Sequence, residues 1–177
     1  MPHAQDAQQR QPGQRGESVM FETWYEGLEA LQGSPEQRRA WADLLEVRST
    51  VAKMLESMRN DGAIGAALEA EVTLYADFFP FADLIKADTA QGAQELHFFF
   101  ITSGLQLAAP DARPDDAVEL KTERVTMWIS AKPSDAKKCI RCWHRRADVG
   151  VHAAHPEICG RCVENLPGAR GENRRFF

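Results

Sequence analysis

All four cysteines of this 177-residue chain fall within its last 40 residues, as Cys139-Ile-Arg-Cys142 and, after sixteen intervening residues, Cys159-Gly-Arg-Cys162. A two-residue gap lets one tight turn bring both sulfurs of a pair to within about 2.3 Å of a single ion, and two such turns complete a tetrahedron with no position left for water. The separation of the pairs is that of a four-cysteine zinc module. The spacing therefore predicts one structural Zn2+ held by Cys139, Cys142, Cys159 and Cys162, in a closed site without catalytic use. Disulfides suit a chain expected in a reducing compartment less well. A thioredoxin-like centre expects a single CxxC beside a βαβ unit, not two in tandem. His144, His152 and His155 lie close enough in sequence to replace a sulfur, but four cysteines already satisfy the ion.

Around these ligands stand Lys138, Arg141, Arg145, Arg146 and Arg161, with Trp143 directly after a cysteine. Cations hold phosphates and an indole stacks on an unpaired base, the combination by which proteins bind single-stranded RNA. Trp143 can equally shield the metal and pack the knuckle, and both roles are open at this stage. Ile140, Val149, Val151, Ile158, Val163 and Leu166 are too few to hold this segment in a fold, whereas metal binding supplies folding energy directly.

The elements that carry this module are read from periodicity. Ser34, Pro35 and Gln37 offer an N-cap, a preset first turn and a capping-box partner, so a helix is expected from residue 35. Trp41, Leu44, Leu45, Val51, Leu55 and Met58 form its apolar stripe, with Asp43 among the residues of the opposite side. Asn60, Asp61 and Gly62 stop the helix after about 26 residues. Strands are expected over 70–76, 95–102, 117–121 and 124–129, and a short helix after Pro80. One long helix packed with short antiparallel strands, followed by the zinc module, is an α+β arrangement. Three segments follow: a Gln/Pro/Gly-rich leader over 1–16 expected to be disordered, an α+β domain over 17–131 that opens on the apolar cluster Val19 to Leu28, and the zinc module over 132–177.

Charge divides the same way. The overall balance of -5 resolves into +5 over residues 132–177 and -10 over residues 1–131, so the module is the part suited to a polyanion. No stretch approaches the roughly 18 consecutive apolar residues of a membrane span, and the N-terminus carries no apolar signal region; the chain is expected to be cytoplasmic, with no membrane partner. His97, flanked by apolar residues, is expected to be a packed histidine rather than a base.

Lys138-Cys-Ile-Arg-Cys-Trp-His144, Asp148-Val-Gly150 and His155-Pro-Glu-Ile-Cys-Gly-Arg-Cys-Val-Glu-Asn165 resemble the C-terminal zinc module of bacterial isoleucyl-tRNA synthetases. Ser18 to Tyr25, Ile64 to Leu74 and Leu96 to Ser103 are similar to the region that joins that module to the anticodon-binding helices, so the resemblance runs over about 17–175. It implies that the chain recognises isoleucine tRNA from the anticodon side, with Cys139, Cys142, Cys159 and Cys162 holding zinc. Lys138, Arg141, Trp143, Arg145, Arg146 and Arg161 are then the tRNA-contacting candidates. The synthetase signatures HIGH and KMSKS occur nowhere in these residues, so this chain alone is not expected to form isoleucyl-adenylate, and the remainder of a synthetase is its expected partner. The alternative is a free-standing zinc-stabilised module for nucleic acid or protein. Formamidopyrimidine-DNA glycosylases share the finger type, but they begin with a catalytic Pro-Glu pair, and here Pro2 is followed by His3.

Overall fold

The computed structural model describes Ser18, Met20 and residues 33–82 and 90–171. The expected leader, nearly all of the Val19 to Leu28 cluster and the body of the short helix after Pro80 lie outside the described residues. The described residues from Ser34 onward form one compact unit.

Helix α1, Pro35–Asn60, has the boundaries its signals dictate. The Ser34 hydroxyl accepts from the Gln37 N–H at 3.2 Å, and the Gln37 side chain accepts from the Ser34 N–H at 2.9 Å. At the other end Gly62 takes φ 74°, its N–H donating to the Arg59 carbonyl and that of Ala63 to Met58, a Schellman cap. The buried face is shifted by about one residue from the expected stripe. Ala40, Asp43, Leu44, Val47, Val51 and Leu55 are buried, while Trp41 and Leu45 are exposed. Asp43 can face inward because Arg124 meets its carboxylate at 2.8 Å. Trp41 is compensated by a tilted ring contact with Phe99, 5.9 Å between centroids.

Strands β1 (Ala70–Tyr75), β2 (Gly104–Ala108), β3 (Val118–Lys121) and β4 (Thr126–Pro133) form one sheet in the order β2-β1-β4-β3. The β1–β4 and β3–β4 pairs are antiparallel, as expected, but β1 and β2 run parallel, with Val72 opposite Leu105. A parallel pair needs a crossover element. That element is helix α2, Ala90–Phe100, and it corrects the expected strand over 95–102. The run Glu-Leu-His-Phe-Phe-Phe-Ile-Thr is so uniformly apolar that it fits a period of two and a period of 3.6 equally. In three dimensions Gly92, Leu96 and Phe100, four apart, are all buried, which is a helical face. Leu44, Val47 and Val51 of α1, Val72 and Leu74 of β1, Met127 and Ile129 of β4, and Leu96 and Phe100 of α2 meet in one core. No helix among the described residues is long and apolar enough to cross a membrane.

The turn after α2 repeats the Schellman cap of α1 with a less suitable residue. The N–H of Ile101 donates to the Phe98 carbonyl and that of Thr102 to His97, and Ile101 adopts φ 56°. A β-branched side chain in the left-handed region is strained by about 1–2 kcal/mol. The turn delivers Thr102 and Ser103 into buried positions at the start of β2.

Candidate metal centre

Residues 137–146 form the first cysteine knuckle. Lys138 and Arg145 pair as an isolated antiparallel bridge, and the N–H of Cys139 donates to the His144 carbonyl at 2.9 Å. Within that loop the N–H of Trp143 donates back to the Cys139 carbonyl at 2.9 Å, with Trp143 at φ 66°, which closes the turn between the two sulfurs. The second pair sits on a short helix, α3 (Gly160–Glu164), with Cys159 at its N-cap position. Asp148 Oδ2 accepts from the Gly160 N–H at 2.8 Å and so caps that turn. Glycine at position 160 leaves room for this cap, since a Cβ would stand 2.9 Å from Asp148 Oδ2 and 3.1 Å from His152 Nε2 and the Asp148 side chain would have to shift.

The four sulfurs all lie within 4.8 Å of one another. Cys139 and Cys162 Sγ are 3.7 Å apart, and so are Cys142 and Cys159 Sγ. A tetrahedron with metal–sulfur bonds of about 2.3 Å has edges of about 3.8 Å, so the donor set matches a zinc ion in both distance and softness. The cysteines are free thiols, not disulfides. Cys139, Cys159 and Cys162 are buried, and the N–H of Cys159 points at Cys139 Sγ across 3.4 Å, an orientation that suits a thiolate.

The electrostatics of the thiols point the same way. Burial pushes Cys162 up, reinforced by its three sulfur neighbours, to about 12. Burial likewise raises Cys159. At Cys139 burial is opposed by the N–H groups of Cys142, Cys159 and Arg141, which together bring that thiol down to about 6. Thiolates crowded this closely are stable together only when a cation supplies the opposing charge. The four cysteines are the site of one structural zinc. None of His144, His152 or His155 joins this donor set among the described residues; His144 is buried, its Nδ1 3.3 Å from the Cys142 carbonyl and its ring edge-on to His97 at 5.7 Å. His97 itself is buried, its ring in tilted contact with that of Phe98 at 4.0 Å.

The remaining candidate residues do not converge on one patch. Trp143 is 62% exposed, and Ile140 and Val151 of the module are exposed as well. Arg141 donates to the carbonyls of Cys162 at 3.3 Å and Asn165 at 3.2 Å, clasping the second knuckle. Lys138 Nζ and Arg145 Nη2 both reach Glu69 Oε1, at 3.0 and 3.7 Å. Arg146 pairs with Asp148 at 3.6 Å, and Arg161 lies over the Phe98 ring at 5.1 Å. Arg145, Arg146 and Arg161 line one wall of an open cleft of about 920 Å3 whose other wall includes Glu71, Phe98 and the edge strand β2. The body-side residues Glu69 and Ser103, which turn out to contact the module, carry no signal of that role in the sequence.

A family profile described as "Zinc finger found in FPG and IleRS" matches residues 136–165, the segment that contains all four sulfurs. The whole chain is similar to isoleucine–tRNA ligases. It is 49% identical over 173 residues to that of Ectopseudomonas mendocina (strain ymp), 45% over 176 residues to that of Thioalkalivibrio sulfidiphilus (strain HL-EbGR7), and 43% over 173 residues to that of Pseudoalteromonas translucida (strain TAC 125). These alignments cover 97%, 98% and 98% of this chain. The chain spans 18% of the length of each of these relatives. The resemblance stated on the motifs thus extends over nearly the whole chain.

Proposed function

We propose that this chain, similar along almost all its length to one stretch of the isoleucyl-tRNA synthetases, is their C-terminal tRNA-recognition region, and that it acts by docking on isoleucine tRNA from the anticodon side. The observation that carries this reading is the extent of the similarity, 97–98% of the chain at 43–49% identity in the three relatives above. It is divided into an α+β junction domain up to residue 131 and a zinc module from residue 132. The chemistry of aminoacylation belongs to the rest of the synthetase, which is the partner of this chain, and the setting is the cytoplasm.

Within the module, the left-handed turn at Trp143 holds the indole outward from the first knuckle. An outward indole is a platform for an unpaired base. Lys138, Arg145, Arg146 and Arg161 supply positive potential to phosphates while keeping internal ion pairs or ring contacts, and Arg141 contributes by fixing the second knuckle against the first. Zinc sets the spacing between these groups.

Binding of isoleucine tRNA and of an unrelated tRNA, titrated against salt, tests the reading. A preference for isoleucine tRNA is expected, with a slope of log K against log salt of about -0.7 to -0.9 per phosphate contact. Trp143→Ala is expected to retain zinc and to weaken binding by about 1–3 kcal/mol, the worth of one stacked base. No affinity at low salt, with the remainder of the synthetase also supplied, would overturn the proposal.

A further inference from the structure

We infer that Ser103 and Glu69 form a latch that sets the orientation of the zinc module on the α+β body, and that both are positioning residues for whatever the module grips.

The Ser103 hydroxyl is buried at the junction and works in both directions. It accepts from the backbone N–H of Arg145 at 2.6 Å and donates to the carbonyl of Leu68, while the Ser103 N–H donates to Ala70 at 2.9 Å. One hydroxyl therefore joins the first knuckle to the segment that enters β1. Next to it, Glu69 Oε2 accepts from the Gly65 N–H at 2.9 Å, and Oε1 faces Lys138 and Arg145, the two residues that form the bridge of the knuckle. The Gly65 N–H and then Lys138 hold the Glu69 carboxyl below its usual range, so it is charged at neutral pH. Arg145 Nη1 also donates to Ala136 at 3.2 Å, which fixes its side chain along the connecting segment.

That connecting segment is short and pinned on the body side. The Ser134 N–H donates to the Glu69 carbonyl at 2.8 Å, and the Ser134 hydroxyl to Glu71 Oε1 at 2.6 Å. With position 134 held and the knuckle beginning at Lys137, whose carbonyl accepts from the Arg146 N–H at 2.9 Å, the module can pivot only about residues 135–136. Ser103 and Glu69 lie where such a pivot would be stopped. The strained left-handed Ile101 belongs to the same turn, and a strained residue persists where its surroundings over-determine it. None of these contacts touches a sulfur, so the latch is separable from metal binding.

The test uses the full 177-residue zinc-loaded chain and reads orientation through backbone-amide residual dipolar couplings. In the unaltered chain, amides of the sheet and of residues 138–165 should fit one alignment tensor. In the Ser103→Ala/Glu69→Gln double variant the module should require its own tensor, reduced by about twofold through independent motion, while zinc stays at one per chain. Ser103→Thr, which keeps the hydroxyl, should restore the common tensor in the presence of native Glu69. A common tensor in the double variant overturns the latch, and so does loss of zinc from Ser103→Ala, because the hydroxyl would then be holding the knuckle's fold and not its orientation. A second arm rests on the tRNA reading above: affinity for isoleucine tRNA should fall about tenfold in the double variant and return with Ser103→Thr, the scale of re-ordering one or two interface side chains. If the tensors separate but the unaltered chain binds no tRNA, the latch stands and the tRNA reading falls.

Discussion

Two cores stand in this molecule, and they are made of different materials. Among the described residues the body gathers fifteen buried apolar side chains from α1, α2, three strands of the sheet and the connecting segments into one cluster. Among the described residues the hydrophobic cluster of the zinc module has five buried members, of which three are cysteines, the others being Val149 and Ile158. Two of the few further apolar residues available to the module, Ile140 and Val151, are turned out to solvent, as is Trp143. A segment that exposes its hydrophobic side chains cannot be held by their burial. The metal replaces the core and frees the apolar residues for contact with something else. The body is held by the burial of apolar side chains, and its buried Asp43 is paired with Arg124 at 2.8 Å.

The sharpest way to break this comparison is to take away the metal. Chelation, or Cys142→Ser or Cys159→Ser, should abolish the order of the module, because structural zinc contributes about 10–16 kcal/mol to such segments. Amide exchange should show 137–166 unprotected while α1 and the sheet keep their protection. Equal loss in both parts would mean that there is one core and not two.

The mirror experiment attacks the body. Leu74 is fully buried among α1 and sheet residues, and Leu74→Ala should cost about 2–5 kcal/mol of unfolding free energy in a denaturant titration. Below the lowered transition, zinc content should remain at one per chain, since no ligand is touched.

Smaller changes sharpen the account of local structure. Ser34→Ala removes one half of the reciprocal capping box of α1 and should destabilise by about 1 kcal/mol. The two Schellman caps offer a matched pair: Gly62 sits at φ 74° and Ile101 at φ 56°. Ile101→Gly should therefore be neutral or stabilising, by up to about 1 kcal/mol, where the same exchange at an ordinary exposed position would be unfavourable. A clear loss of melting temperature at Ile101→Gly would show that the side chain packs more strongly than its half-exposed state suggests.

What could be read in the sequence follows the range of the interactions involved. α1 was legible to its boundaries because caps are local: Ser34, Gln37 and Gly62 act within four residues of where they stand. The zinc ligands were legible because metal geometry dictates spacing. α2 was not, since Leu96 to Ile101 is apolar throughout and periodicity cannot separate a helix from a strand there. β2, Gly-Leu-Gln-Leu-Ala with no β-branched or aromatic residue, escaped for want of a strand signal, and with it the parallel pairing to β1. The shift of the buried face of α1 had a tertiary cause, the Arg124 partner eighty-one residues from Asp43. The same holds for the cations of the module. Their number was plain, but that Arg141 clasps the carbonyls of Cys162 and Asn165 while Lys138 and Arg145 turn to Glu69 depends on contacts no local pattern carries.

X-ray absorption at the zinc edge of the reduced, purified chain, combined with metal quantitation, tests the central claim most directly. One zinc per chain surrounded by four sulfurs at about 2.3 Å is the predicted result. Sub-stoichiometric metal in material whose residues 136–165 remain ordered, or a coordination shell containing nitrogen in place of sulfur, would contradict it.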